Sequence, residues 1–139
     1  MQELHIAFAV DDRGGMMFND RRVSKDSVLR EEVLGLARAV GGSVRVRPYS
    51  LSQFAEDDSV KAFDAPWSDA QAGDIVFIED VDPATVPGVT KVTLFRWNRT
   101  YPYDLASTFD FDGFELTETK EFGGSSHERI TEETWVKTL

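Results

Sequence analysis

In a chain of formal charge −10, arginines collect in two polar stretches. The first is Asp11-Asp12-Arg13-Gly14-Gly15-Met16-Met17-Phe18-Asn19-Asp20-Arg21-Arg22, and the second is Phe95-Arg96-Trp97-Asn98-Arg99-Thr100-Tyr101-Pro102-Tyr103-Asp104. A guanidinium grips a carboxylate or phosphate with two parallel hydrogen bonds, so cations gathered against the overall charge mark a place for an anion. In the first stretch the glycine pair permits positive φ and a mobile loop, and Arg13, Arg21 and Arg22 could hold the anion. Equally, Met16, Met17 and Phe18 could tuck the loop onto the core while the arginines pair with Asp11, Asp12 and Asp20. In the second stretch, strand alternation places Arg96 and Asn98 on one face and Trp97 and Arg99 on the other. There Trp97 or Tyr101 could stack on a planar ring while Arg96 or Arg99 meets a phosphate. The competing reading is a tryptophan packed in the core beside an Arg99–Asp104 pair.

Two further residues could move protons. His127 follows Gly123-Gly124-Ser125-Ser126 and precedes Glu128, so its imidazole sits on or beside a turn and could act as general acid or base. Asp26 is the carboxylate at the head of the first helix. Ser125, His127 and Asp26 can be drawn as a nucleophile set, but no Gly-x-Ser-x-Gly elbow accompanies them, and a lone surface histidine in a turn is the better reading of His127. Asp110, Asp112 and Glu115 lack the spacing of a calcium loop. With no cysteine and only His5 and His127, no metal site is expected.

The elements that must position these groups follow from the apolar pattern. Leu4–Val10 is a nearly continuous apolar run, as expected of a central strand covered on both faces. Leu29, Val33, Leu36, Ala37 and Val40 fall on one face at helical spacing, with Ser24 or Asp26 as the cap and Gly41-Gly42 as the stop. Residues 43–47 alternate as a half-exposed strand, and Ser50-Leu51-Ser52-Gln53 has the spacing of a capping box opening a short helix. Residues 66–73 read as a helical turn or loop, and 74–78 as another buried strand. After Pro-marked turns at 83 and 87, residues 91–97 form a strand. Residues 114–122 and 130–136 close the chain as an antiparallel pair. These elements predict an α/β sandwich, parallel early and antiparallel at its end.

Composition narrows the class. At 139 residues and 41% hydrophobic content the chain predicts one domain spanning 1–139 with one real core. Glu3 and His5 interrupt the first apolar run, so neither a signal peptide nor a membrane span is read there, and a cytoplasmic location is expected. Residues 1–50 carry eight Lys and Arg against seven Asp and Glu, whereas residues 51–139 carry seven against eighteen. Such acidity disfavours general nucleic-acid binding and suits either simple solubility or a basic protein partner.

The order of elements resembles dihydrofolate reductase over most of the chain. The first strand, the long Gly-Met loop, a helix starting near Asp26 where that family keeps its substrate-facing carboxylate, Ser50 after the next strand, and the closing section from Thr108 all fit. The resemblance implies a three-layer sandwich with a mostly parallel sheet and an antiparallel C-terminal hairpin. It also implies an NADPH site, whose pyrophosphate needs a glycine pair after a late buried strand. Here that strand ends in Glu79-Asp80, the expected Gly-Arg is Arg47-Pro48, and the Pro-Trp of the substrate loop is missing. Val10–Arg22, Arg96–Pro102 and Ser125–Glu128 are in addition similar to segments of a family of small bacterial proteins that carry the label ribonuclease Z. The label finds no support in the residues, because that enzyme's two metals need a His-x-His-x-Asp-His cluster.

The leading expectation is therefore a diverged dihydrofolate-reductase-like domain that binds, or also processes, a small anionic ring-bearing ligand such as a nucleotide. Arg21, Arg22, Arg96 and Arg99 would supply anion contacts, Trp97, Asn98 and Tyr101 would complete the ligand site, and Asp26 and His127 would be the acid–base groups. The alternatives are a non-catalytic acidic protein that mimics nucleic acid or inhibits a basic partner, and an NADPH-dependent reductase. The cofactor is unknown on the first reading, and fold alone never fixes function.

Overall fold

Residues 3–54 and 60–138 are described by a computed structural model of the chain. In chain order the strands and helices are β1 His5–Val10, β2 Gly15–Phe18, β3 Arg21–Arg22, α1 Ser27–Ala39, β4 Val44–Val46, α2 Pro48–Leu51, β5 Val60–Ala62, β6 Ile75–Phe77, β7 Lys91–Arg96, β8 Leu105–Ala106, β9 Phe114–Phe122 and β10 Ile130–Lys137. Seven strands form one sheet in the order β5-β4-β6-β1-β7-β10-β9. The first five run parallel, and β10 and β9 are antiparallel to their neighbours. The long apolar runs predicted as doubly covered strands lie at the centre: Ile6, Ala7, Val76 and Val92 are all fully buried.

Helix α1 covers one face. Leu29, Val33, Leu34 and Ala37 pack on Ala7, Val44, Val46, Ile75, Phe77 and Phe95. The opposite face, from Ile6, Phe8, Val10, Val76, Val92 and Leu94 with Phe114 and Trp135 on the antiparallel pair, is covered by Met16 and Met17 and by the rings of Phe109 and Phe111. The three layers are thus helix, large sheet, and a third layer of coil and small sheet, of order β3-β2-β8. No helix among the described residues is long and apolar enough to cross a membrane.

Several local expectations shift. Helix α1 ends one residue before Val40, which is 64% exposed, because Gly41 at φ 72° and Gly42 close a Schellman motif: Gly42 N–H donates to the Ala37 carbonyl and Gly41 N–H to that of Arg38. Leu34 takes the buried place expected of Val40. Helix α2 opens at Pro48, which has no N–H to satisfy, so Ser50 lies inside it and its buried hydroxyl has no partner among the described residues. The first arginine stretch is not an open loop. Asn19 and Asp20, at φ 51° and 62°, form the two-residue turn of a β2–β3 hairpin. The three-residue β5, with only Val60 buried, carries too little alternation to be read from sequence.

The hairpin brings the two arginine stretches side by side. Strand β2 also pairs with β8. Asp12 N–H donates to the Arg99 carbonyl and Asp104 N–H to that of Met17. Buried Asp11 accepts from the N–H groups of Arg13, Gly15 and Tyr101 at 2.7–2.9 Å. Burial opposes its charge, but these backbone donors hold its carboxyl below the usual range.

Candidate functional site

The C-terminal ends of β1, β6 and β7 meet the start of α1, the edge at which open α/β sheets hold ligands. Asp26 caps α1, accepting from Val28 and Leu29 N–H, and reaches across to accept from Ser125 and Ser126 N–H and the Ser126 hydroxyl. The β9–β10 turn comes this close only because residue 124 is glycine; a Cβ there would overlap the Asp26 carboxylate. Asp26 is 3% exposed, and although burial resists its charge, these donors hold it far below the ordinary carboxylate range.

His127 continues the network. Its ring is 4% exposed and stacks on Trp97 at 4.7 Å between centroids. The Ser126 hydroxyl lies 2.8 Å from Nδ1 and the Tyr101 hydroxyl 2.6 Å from Nε2. Ser126 has one proton, which goes to the Asp26 carboxylate or the Lys25 carbonyl, at 2.9 and 2.8 Å. Its oxygen then accepts from Nδ1–H, leaving Nε2 to accept from the Tyr101 O–H. The chain Tyr101–His127–Ser126–Asp26 is consistent throughout with a neutral imidazole. Burial, and then the nearby Arg99 cation, push the His127 pKa below its usual value against the pull of Asp26, 3.8 Å away.

Between α1 and the strand ends lies a narrow apolar slot walled by Ala9, Met16, Leu29, Phe77, Ile78 and Trp97. About 10 Å³ of it is free, room for about one water. Its polar lining includes a two-pronged pair: Arg22 Nε donates to Glu79 Oε2 at 2.8 Å and Nη2 to Oε1 at 3.2 Å. The guanidinium lies over the Tyr49 ring at 4.7 Å, and Gln53 donates to the same Glu79 at 3.0 Å. Arg22 also borders a wider basin of about 370 Å³ at the head of α1, shared with Lys25, Arg30 and the serines 27, 52, 125 and 126. Arg30 donates to the Gln53 carbonyl, and among the described residues neither Lys25 nor Arg30 pairs with a carboxylate.

The residues singled out from sequence separate into groups. Arg22 and Trp97 border the slot, and Arg22 and Asp26 the basin. Trp97, Asn98, Arg99 and His127 line a shallower hollow with Glu128 and Arg129, and Tyr101 joins it through His127. Arg21 is exposed on β3. Arg96 pairs with Glu133 at 3.0 Å. It follows Val92 and Leu94 in the strand alternation, on the face away from α1. Glu79, Gln53, Lys25 and Arg30 are brought to the site by the fold. From sequence Glu79 reads only as an obstacle to phosphate, because its pairing with Arg22 across 57 positions leaves no trace in local sequence.

No family model matches the sequence, and no curated protein sequence matches it. Solved structures do. The chain superimposes on a dihydrofolate reductase from Enterococcus faecalis, complexed with NADP(H) and RAB-propyl, with a TM-score of 0.68. The alignment covers 100% of this chain and 99% of that one, at 10% identity. The fold is dihydrofolate-reductase-like. At that identity the likeness speaks for the fold, including the parallel sheet and the antiparallel hairpin, and leaves the chemistry to the residues.

Proposed function

We propose that the chain is a small-molecule-binding domain whose ligand joins an anionic group to a planar ring, as a nucleotide does. The carrying observation is the basin at the head of α1. In a protein of charge −10, Lys25 and Arg30 face it without carboxylate partners among the described residues, and its 370 Å³ suits a small ligand. The anionic group would lie against Lys25 and Arg30, with the hydroxyls of Ser27, Ser52 and Ser125 as further donors. The ring would enter the slot beside Trp97 once Arg22 moves aside, since the slot as it stands has room for about one water. Arg22, bordering both, would join the anion. Asp26 and His127 would act as positioning residues, since every strong hydrogen bond they can make is already used within the protein.

A pyrophosphate-bearing dinucleotide does not fit these residues. The segment after β6 offers the carboxylates Glu79 and Asp80, held by Arg22 and Arg47, and the adjoining hollow is lined by Asp20, Asp80 and Asp104. Reduction through such a cofactor is therefore not assigned. A thermal-shift series with mononucleotides, inorganic phosphate, pterins and NADPH tests the proposal. Mononucleotides should raise the melting temperature, and Lys25→Ala with Arg30→Ala should abolish the rise; indifference to every compound would reject it.

A second reading, docking of a basic protein, is favoured by one observation. The edge strand β9 exposes Glu115, Glu118 and Glu121 and has only β10 beside it. Capture of basic peptides that is released by salt would support it, and salt-independent or absent capture would count against it.

A further inference from the structure

We infer that the Arg22–Glu79 pair is a latch that lets the slot open for a ring bearing an anionic group and keeps it shut to the same ring without one. This rests on the proposed reading of the basin and adds the residue that sets its selectivity. The slot has room for one water, so no ring enters while Arg22 and Glu79 hold their places in its lining. Among the described residues only Arg22 and Gln53 border both cavities. Leaving Glu79, the guanidinium can swing into the basin, where Lys25 and Arg30 already stand. Three cations would then share the hollow with a single carboxylate, Asp26, whose oxygens are already taken by backbone N–H groups and the Ser126 hydroxyl. The surplus positive charge favours an anion arriving with them. Glu79 keeps a partner in Gln53, whereas the Arg22 guanidinium gives up the one carboxylate it pairs with among the described residues. An uncharged ring thus has to separate a half-buried ion pair and crowd three cations, and nothing offsets either cost. A phosphorylated ring supplies the missing partner and turns the crowding into a grip. Glu79 in this view stands in for the ligand's own anion, and the chemical class selected is a mononucleotide-like phosphomonoester on a planar ring.

Trp97 walls the slot, so its fluorescence reports entry of a ring. Adenosine monophosphate and adenosine would be titrated against wild type and Glu79→Gln, which retains an oxygen for Gln53 and removes the charge that holds Arg22. Wild type should bind the monophosphate and discriminate strongly against the nucleoside. In Glu79→Gln the discrimination should fall by roughly tenfold, because nucleoside binding rises. Arg22→Gln removes the other half of the pair and guards against a folding defect in the first variant; nucleoside binding should rise there and monophosphate binding fall. Unchanged discrimination in both variants, with the monophosphate still bound by wild type, would overturn the latch and leave the basin reading standing. No monophosphate binding by any of the proteins would overturn the basin reading and the latch with it.

Discussion

Asp26 carries more hydrogen bonds than any other side chain at the site, and its removal tests how far the site is also a structural joint. Asp26→Ala loses a helix cap and leaves the N–H groups of Ser125 and Ser126 without their acceptor, a cost of about 2–4 kcal/mol in urea unfolding. The titrating groups give the pH dependence. Asp26 and Asp11 have lowered pKa values, so their stabilisation is present above the ordinary aspartate pKa and is lost as pH falls. His127, also lowered, adds to that acid loss below its ordinary value of 6.5, because the unfolded chain takes up the proton first. Glu132 does the reverse. Buried on β10 with Oε1 unpartnered and facing Glu32 on α1 and Glu118 and Lys120 on β9, it is pushed up to about 7, chiefly by burial and then by Glu32. Its native form stays protonated while the unfolded form ionises, so it costs stability as pH rises from about 4.5 towards 7. Glu132→Gln should melt higher than wild type at pH 8 and show little difference at pH 4, and a constant difference across that range would contradict the assignment. The arginines and His127 were visible in the sequence, but their partners were not. Arg22 with Glu79 and Asp26 with Ser126 are long-range pairs that a linear reading cannot supply.

At the scale of elements, the long apolar strands and α1 were legible because each is a run of one periodicity bounded by Gly, Pro or a cap. The short pieces were not. The β2–β3 hairpin hides in a polar stretch, and its only local signal is Asn19-Asp20 at the two positive-φ positions. Glycine suits the second of these better than aspartate, so Asp20→Gly should stabilise the protein by about 0.5–1 kcal/mol and Asp20→Val should destabilise it. If the two variants unfold alike, the turn is not formed as described. Gly124→Ala tests the joint between α1 and the β9–β10 turn. The added methyl meets the Asp26 carboxylate and Ile130, and a loss of about 1–3 kcal/mol is expected, together with weaker binding in the basin. Wild-type stability in that variant would show that the turn does not sit on Asp26.

Across the whole molecule, the parallel order with a closing hairpin could be derived from the sequence because element types alternate with little ambiguity. The third layer could not, because it is built from Met16, Met17 and scattered phenylalanines in coil rather than from a second amphipathic helix. The uneven charge was equally plain in the sequence, yet its consequence depends on the fold. Three of the eight basic residues of the first fifty positions, Arg22, Lys25 and Arg30, line the basin at the head of α1, while the acidic edge strand β9 ends the sheet on one side. An anion should therefore find this basin attractive on a molecule of net charge −10. The most direct measurement is a calorimetric titration of adenosine monophosphate into wild type and into the Lys25→Ala, Arg30→Ala double variant. Saturable one-to-one binding by wild type is expected, weakened by about 2–4 kcal/mol in the variant as two charged donors are lost. Equal binding by the two proteins, or none by the folded wild type, would contradict the placement of an anion site at the head of α1.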